Sequence, residues 1–419
     1  VTIVIAASAP PALGDEIAAG QEVPFMTAIP EYRTKTTHPS ASAGAPLKRA
    51  VVLAIFAGWT LFSVYVYSRY SQLGDAEAYL TGGYDEYSQS RTLLIARLAG
   101  GLRSVLGADV LVHLAFSLFA ASGVCYLVAQ GDIRGRYRWP LLAILLNPNF
   151  GVWASVTGRE SLFVGLLAYF MGAVLGHYRR HGMLRVLIAS LCVAGMIYIR
   201  AAFGIGIALF LLIYLLYAWG PRLRLSIGIQ ALFFVSLAAL GLLLAWPYID
   251  DYISNEILPL ARSYFTVASA TTRTWVDLQT TRDLLSGLWW ILPLSLIGPT
   301  PAEVLARPVM LPFLAAGLVV FGVLCHSAYV ALFKAPRGPS RGILVLGWLP
   351  ATLVILVSYA PFGIYNPGSG IRYASCFLLF LAFPSLLLAT APTVANVRRS
   401  LRGSADADDA ATASTAMST

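Results

Sequence analysis

Five stretches of this 419-residue chain put charged side chains next to turn formers, and each could do chemistry. Gly74-Asp75-Ala76-Glu77-Ala78-Tyr79-Leu80 supplies carboxylates. On a helix Asp75 and Tyr79 share a face and Glu77 points away. A carboxylate at the mouth of a helix bundle can take the proton of a sugar hydroxyl. A solvated loop acid is the plainer alternative, and Asp85-Glu86, in a Gly-rich turn, reads as ordinary surface. The second stretch runs from Asn147-Pro148-Asn149 to Thr157-Gly158-Arg159-Glu160-Ser161. There Glu160 suits a helix N-terminus and Thr157 an N-cap. Alternatively, Arg159 offers a fork of donors to a phosphate and Glu160 fixes it.

Arg200 is a single charge in a long apolar stretch, Tyr198-Ile199-Arg200-Ala201-Ala202-Phe203. A boundary arginine is costly and points by default to function, with snorkelling to headgroups as the alternative. Tyr365-Asn366-Pro367-Gly368-Ser369-Gly370-Ile371-Arg372-Tyr373 makes a tight turn. A backbone nest with Arg372 would suit an anionic headgroup. The segment 249–283 mixes Asp250, Asp251, Glu256, Arg262, Tyr264, Arg273, Trp275, Asp277, Arg282 and Asp283. That mixture suits sugar binding and equally an amphipathic interfacial helix. The histidines form no metal-binding cluster, and no cysteine has a ligand or CxxC spacing.

The elements that must position these residues are membrane helices. The chain is 58% hydrophobic and 12% charged, about half the charged fraction of a soluble domain. Its apolar runs are continuous rather than alternating, so helices are expected and a β-barrel is not. The predicted fold is all-α, a polytopic bundle of ten spans near 50–68, 108–130, 139–149, 161–178, 185–199, 203–220, 227–248, 309–333, 342–360 and 374–392. Segments 139–149 and 185–199 are too short to cross alone. Residues 1–47 and 403–419 read as disordered cytoplasmic tails flanking a membrane domain of 48–402. The start lacks the basic region of a signal peptide.

Charge orients the bundle. The net charge of +9 does not indicate nucleic acid, because the basic residues cluster between spans. Lys48/Arg49, Arg134/Arg136/Arg138, Arg179/Arg180/Arg185, Arg222/Arg224, Lys334/Arg337/Arg341 and Arg398/Arg399/Arg402 fall on one side, with only Asp132 as an acid. That side is cytoplasmic by the positive-inside rule. An eleventh span at Leu284–Ile297 would reverse everything after it, so this run is expected not to cross. The long loops 69–107 and 249–308 and all five stretches then face outward. No cytoplasmic segment is large enough for a nucleotide-binding domain, and no GxxxxGK[ST] occurs. A transporter should show internal repeats and mid-membrane charges; here the polar residues gather at one face.

In their order, Asp75–Leu80, Asn147–Ser161, Tyr198–Phe203 and Ile371–Tyr373 resemble the motifs of Wzy-type bacterial polysaccharide polymerases and of the wider GT-C group of membrane glycosyltransferases. The resemblance implies a GT-C-like bundle in the bacterial inner membrane, both termini cytoplasmic, acting on polyprenyl-diphosphate-linked oligosaccharides at the outer face. It implies no metal or other cofactor, and membrane lipids and other polysaccharide-assembly proteins as partners. Arg159, Arg200 and Arg372 would hold the diphosphate, with Tyr79 and Tyr373 lining the substrate site. Asp75 would be the first candidate base and Glu160 the second. The family places two acids side by side in the first loop, whereas Asp75 and Glu77 are separated by one residue. A GT-C transferase adding one sugar from a polyprenyl-phosphate donor, and a lipid-linked oligosaccharide flippase, are the alternative readings.

Overall fold

In lipid every backbone N–H and C=O needs a partner within the protein, and the apolar runs find theirs as helices. The computed structural model describes residues 47–83, 89–131, 133, 135–219, 227–266, 272–336 and 338–390. Among them there is no strand. The protein is an all-α polytopic membrane bundle. Most of both tails, Asp85-Glu86, Asp132, Arg134, Arg222, Arg224, Arg337 and the basic cluster at 398–402 lie outside the described residues.

The helices are α1 (Arg49–Tyr65), α2 (Ala76–Thr81), α3 (Ser90–Leu106), α4 (Asp109–Gly131), α5 (Trp139–Leu145), α6 (Pro148–Ala154), α7 (Arg159–Arg180), α8 (Met183–Ile199), α9 (Ala201–Trp219) and α10 (Ile227–Tyr252). They continue as α11 (Leu258–Thr266), α12 (Thr281–Ile297), α13 (Pro301–Ala306), α14 (Leu311–Tyr329), α15 (Pro339–Gly342), α16 (Leu349–Tyr365), α17 (Pro367–Ser375), α18 (Leu378–Leu381) and α19 (Phe383–Thr390). Among the described residues eight helical stretches are long and apolar enough to cross a membrane, and α8 is a shorter apolar helix. They differ sharply in surroundings. The apolar window of α7 is 78% buried and that of Gly228–Ser263 only 6%, so α7 is the central post and α10 faces lipid.

Small residues let the central helices meet. A Cβ on Gly123 of α4 would run into the Gly165 carbonyl of α7. Close backbone approach of this kind is how membrane helices gain packing contacts without a hydrophobic driving force between them. Gly123→Val is expected to push α4 and α7 apart and cost about 1–3 kcal/mol, read as a fall in Tm in detergent.

The run 139–149 is not one span. It breaks at Leu146-Asn147 into α5 and α6, and both pieces sit inside the bundle. Pro148 lacks an N–H, so it takes the first turn of α6, and the Asn147 side chain caps that helix by accepting from Asn149 N. The carbonyls freed by the break are met from α1: Trp59 Nε1 donates to Leu145 O, Thr60 Oγ1 to Ser155 O and Ser63 Oγ to Val152 O. The last run, 374–392, is also interrupted, into the end of α17, then α18 and α19.

The run Leu284–Ile297 lies within a helical stretch, Thr281–Ala306, that is long and apolar enough to cross. Its two ends nevertheless attach at one end of the bundle. Thr281 bonds to Ser254 and to the Asp250 carbonyl, at the end of α10. Ser295 bonds to the Ala360 carbonyl, and Gly298 lies against Ile371. The next helix, α14, starts at that same end, where Phe313 packs with Val152, Trp153 and Ile371. The segment 249–308 is thus largely helical and folded back onto the bundle.

Candidate functional site

Four separate chain segments converge at this end. Asp75 sits at the N-cap position of α2, Arg159 and Glu160 open α7, Arg200 links α8 to α9, and Arg372 lies in the last turn of α17. Arg372 Nη2 donates to Asp75 Oδ2 at 2.7 Å and Arg372 Nε to Glu160 Oε1 at 2.7 Å. Arg200 Nη2 donates to the same Glu160 oxygen at 2.5 Å. Arg159 Nη2 stands 3.5 Å from Asp75 Oδ2. Four of the residues singled out from sequence as acid or base therefore share one cluster with the fifth, Glu160, at its centre.

Local structure explains each placement. Helix α7 starts after an extended Gly158, and a Cβ on Gly158 would touch Glu160 Oε2. Glu160 thus folds back over its own helix start, where the dipole favours a negative charge. Thr157 is not the cap; its N–H donates to His113 Nδ1 on α4, and this buried histidine holds the bend before Arg159. Gly74 has φ +62, and a Cβ there would collide with the Arg372 guanidinium. Gly74→Ala is expected to cost about 1–3 kcal/mol in backbone strain and to dislodge Arg372 from Asp75, measurable as a lower Tm. The turn at 366 is not an open nest. The Asn366 side chain accepts from Gly368 N and Ser369 N, so those donors are already used.

Aromatic rings complete the walls. Arg200 lies 4.2 Å from the centre of the Tyr373 ring and Arg372 5.7 Å from that of Trp153, within cation–π range. Tyr79 is fully buried, packed with Leu80, Ile95, Val112 and Phe116, and its phenol lies within electrostatic reach of Arg159. Glu77 is exposed and points away.

The five charged residues do not have equal partners. Arg372 is saturated by two carboxylates. The Arg200 side chain is 10% exposed, and its Nε is buried with no hydrogen-bond partner. The Arg159 side chain is 18% exposed, its Nε is likewise buried and unpaired, and its closest acid is the 3.5 Å Asp75. Buried donors of a charged group are costly to leave unmade. Asp75 uses Oδ2 for both arginines, and its side chain is 36% exposed, so a second oxygen is open to a ligand.

Sequence reasoning missed one residue of this cluster. Arg91, at the start of α3, is half-buried. Burial first, then the charges of Arg159 and Arg200, push its guanidinium below the ordinary arginine value. Its printed side-chain hydrogen bond is to its neighbour Gln89, at 2.6 Å. With Arg91 the cluster holds four guanidinium groups against the two carboxylates Asp75 and Glu160, a surplus of two positive charges among the described residues. An arginine at the start of an amphipathic outer helix has no distinguishing sequence signal.

Arg273 is the instructive contrast. It is also buried, but every donor group is met: Nε and Nη2 by Glu303, Nη2 also by Gly298 O, and Nη1 by Ile364 O. Its backbone N–H donates to Tyr365 O. It is a strut that ties the 272–278 segment and the α12–α13 link to the end of α16.

Compared with known proteins, no family model, no curated protein and no solved structure matches the chain. The chemistry of the cluster therefore has to be argued from its own geometry.

Proposed function

We propose that this chain is a glycosyltransferase of the bacterial inner membrane, a polysaccharide polymerase working at the outer face on polyprenyl-diphosphate-linked oligosaccharides. One observation carries the reading. Buried arginines with unfilled donors, Arg159 and Arg200, stand beside a carboxylate with an open oxygen, Asp75. The surplus charge suits a doubly charged leaving group, and the apolar flanks suit its lipid.

In this reading the diphosphate of the growing chain sits on Arg159 and Arg200. Asp75, oriented through Oδ2, takes the proton of the acceptor sugar hydroxyl on its other oxygen. The acceptor oxygen bonds to C1 as the C1–O bond to the diphosphate breaks, and polyprenyl diphosphate leaves. Fixed guanidinium groups stabilise the leaving charge in a poorly solvated site. Glu160, held by two arginines and 3% exposed, positions Arg200 and Arg372 and is not the base. Arg372, saturated in the same way, holds the two carboxylates in place.

A deletion strain is expected to accumulate lipid-linked single repeats and to regain polymer from the wild-type gene but not from Asp75→Asn. Loss of one sugar from the repeat would instead indicate a single-sugar transferase. Full activity of Asp75→Asn would remove Asp75 as the base.

A further inference from the structure

We infer that Arg91 is the third phosphate-binding arm of this site, and that Arg91, Arg159 and Arg200, rather than Arg372, grip a lipid-borne diphosphate. This rests on the anion-site reading above and sharpens it. The arginines divide by partner. Arg372 has a carboxylate on each side. Arg200 has one carboxylate bond, and Arg159 has a single long approach. Arg91 bonds to the neutral Gln89 and meets the fields of Arg159 and Arg200, with no acid among its charged neighbours. Three like charges facing one another across a half-buried space make poor protein structure. They make good sense as a ready cradle for a multiply charged anion.

The fold holds Arg91 there. Ile95, one turn further along α3, packs against Tyr79 and Leu80 of α2 and against Leu162 of α7. Arg103 Nη1 donates to Leu80 O and ties the other end of α3 down. Arg91 is thus fixed over the start of α7, where Arg159 begins.

The lipid side of the inference comes from α10. Tyr252 is another neighbour whose charge is felt by Arg91. Leu240, Leu244, Tyr248 and Tyr252 repeat every fourth residue, so they form one stripe along α10, and all four are exposed. The stripe leads from the apolar flank to the three arginines. A free inorganic anion would have no use for it, whereas the tail of a polyprenyl diphosphate would.

The full chain in nanodiscs, with farnesyl diphosphate as probe and inorganic pyrophosphate in parallel, tests this. Wild type should bind the farnesyl compound more tightly than pyrophosphate. Arg91→Gln should weaken that binding roughly 10- to 100-fold, the effect of one charge-assisted hydrogen bond. Its Tm without ligand should be unchanged or raised, because a like charge has gone. Arg91→Gln binding as wild type, while Arg159→Gln does not, would overturn the role of Arg91 and leave the anion site standing. Affinity and Tm falling together would also overturn it, by making Arg91 structural. Equal binding of pyrophosphate and the farnesyl compound would overturn the lipid part. Wild type binding neither probe would overturn the anion site itself.

Discussion

Arg159→Gln is expected to abolish ligand capture while leaving the bundle folded. Arginines at binding sites usually also hold the protein together, so the two effects are hard to separate. Here the geometry separates them. Arg159 makes no hydrogen bond from its side chain, and its only ion pair is a 3.5 Å approach to an oxygen already held by Arg372. Truncation removes a buried charge whose Nε is unpaired, so the folded state loses little. A donor aimed at developing negative charge is worth about 10²–10³ in rate, and a loss of that size in polymer formation is the predicted outcome. Arg200→Gln should differ. It removes the 2.5 Å bond to Glu160, so turnover and Tm should fall together. A collapse of Tm in Arg159→Gln would show that the residue is structural.

The opposite pattern is expected at Arg273. Arg273→Ala leaves Glu303 and the carbonyls of Gly298 and Ile364 without their donor inside the protein. Removing one partner of a buried pair costs about 3–5 kcal/mol, among the largest single-residue effects in this chain. Thermal unfolding in detergent should show it as a large drop in Tm. The double variant Arg273→Met with Glu303→Leu should recover only part, because the two carbonyls stay unpaired. Ligand affinity per folded molecule should stay unchanged, since Arg273 bonds to no member of the Asp75–Glu160 cluster. Full recovery in the double variant would reduce the strut to a simple ion pair.

The contrast between these two arginines shows what was legible in the sequence. Asp75, Arg159, Glu160, Arg200 and Arg372 stood out because charge next to an apolar run is rare, and all five meet. The helical, membrane-embedded class followed from the continuity of the apolar runs. Roles within the cluster were not legible. Arg372 and Arg159 look alike in sequence, yet one is clamped by two carboxylates and the other is nearly unpartnered. Arg273 looked like one more charge of a polar loop, because its acceptors are mostly backbone carbonyls, which have no sequence signature. Arg91 was hidden among the polar residues of an amphipathic helix. The break at Asn147-Pro148 was visible, but the donors from α1 that make it tolerable, Trp59, Thr60 and Ser63, lie about 90 positions away. Asn366-Pro367 repeats that device, and its capping side chain uses the N–H groups that the sequence seemed to offer a ligand.

The central claim is that the buried, under-partnered arginines at this end of the bundle exist to hold a lipid-borne diphosphate. The most direct measurement is a structure of the full chain in nanodiscs with a polyprenyl diphosphate bound. The diphosphate should lie within hydrogen-bond distance of Arg159 and Arg200, with Arg91 closing over it and Asp75 facing the sugar side. Arg372 should keep its bonds to Asp75 and Glu160. A diphosphate bound elsewhere, with Arg159 and Arg200 still unpaired, would contradict the account.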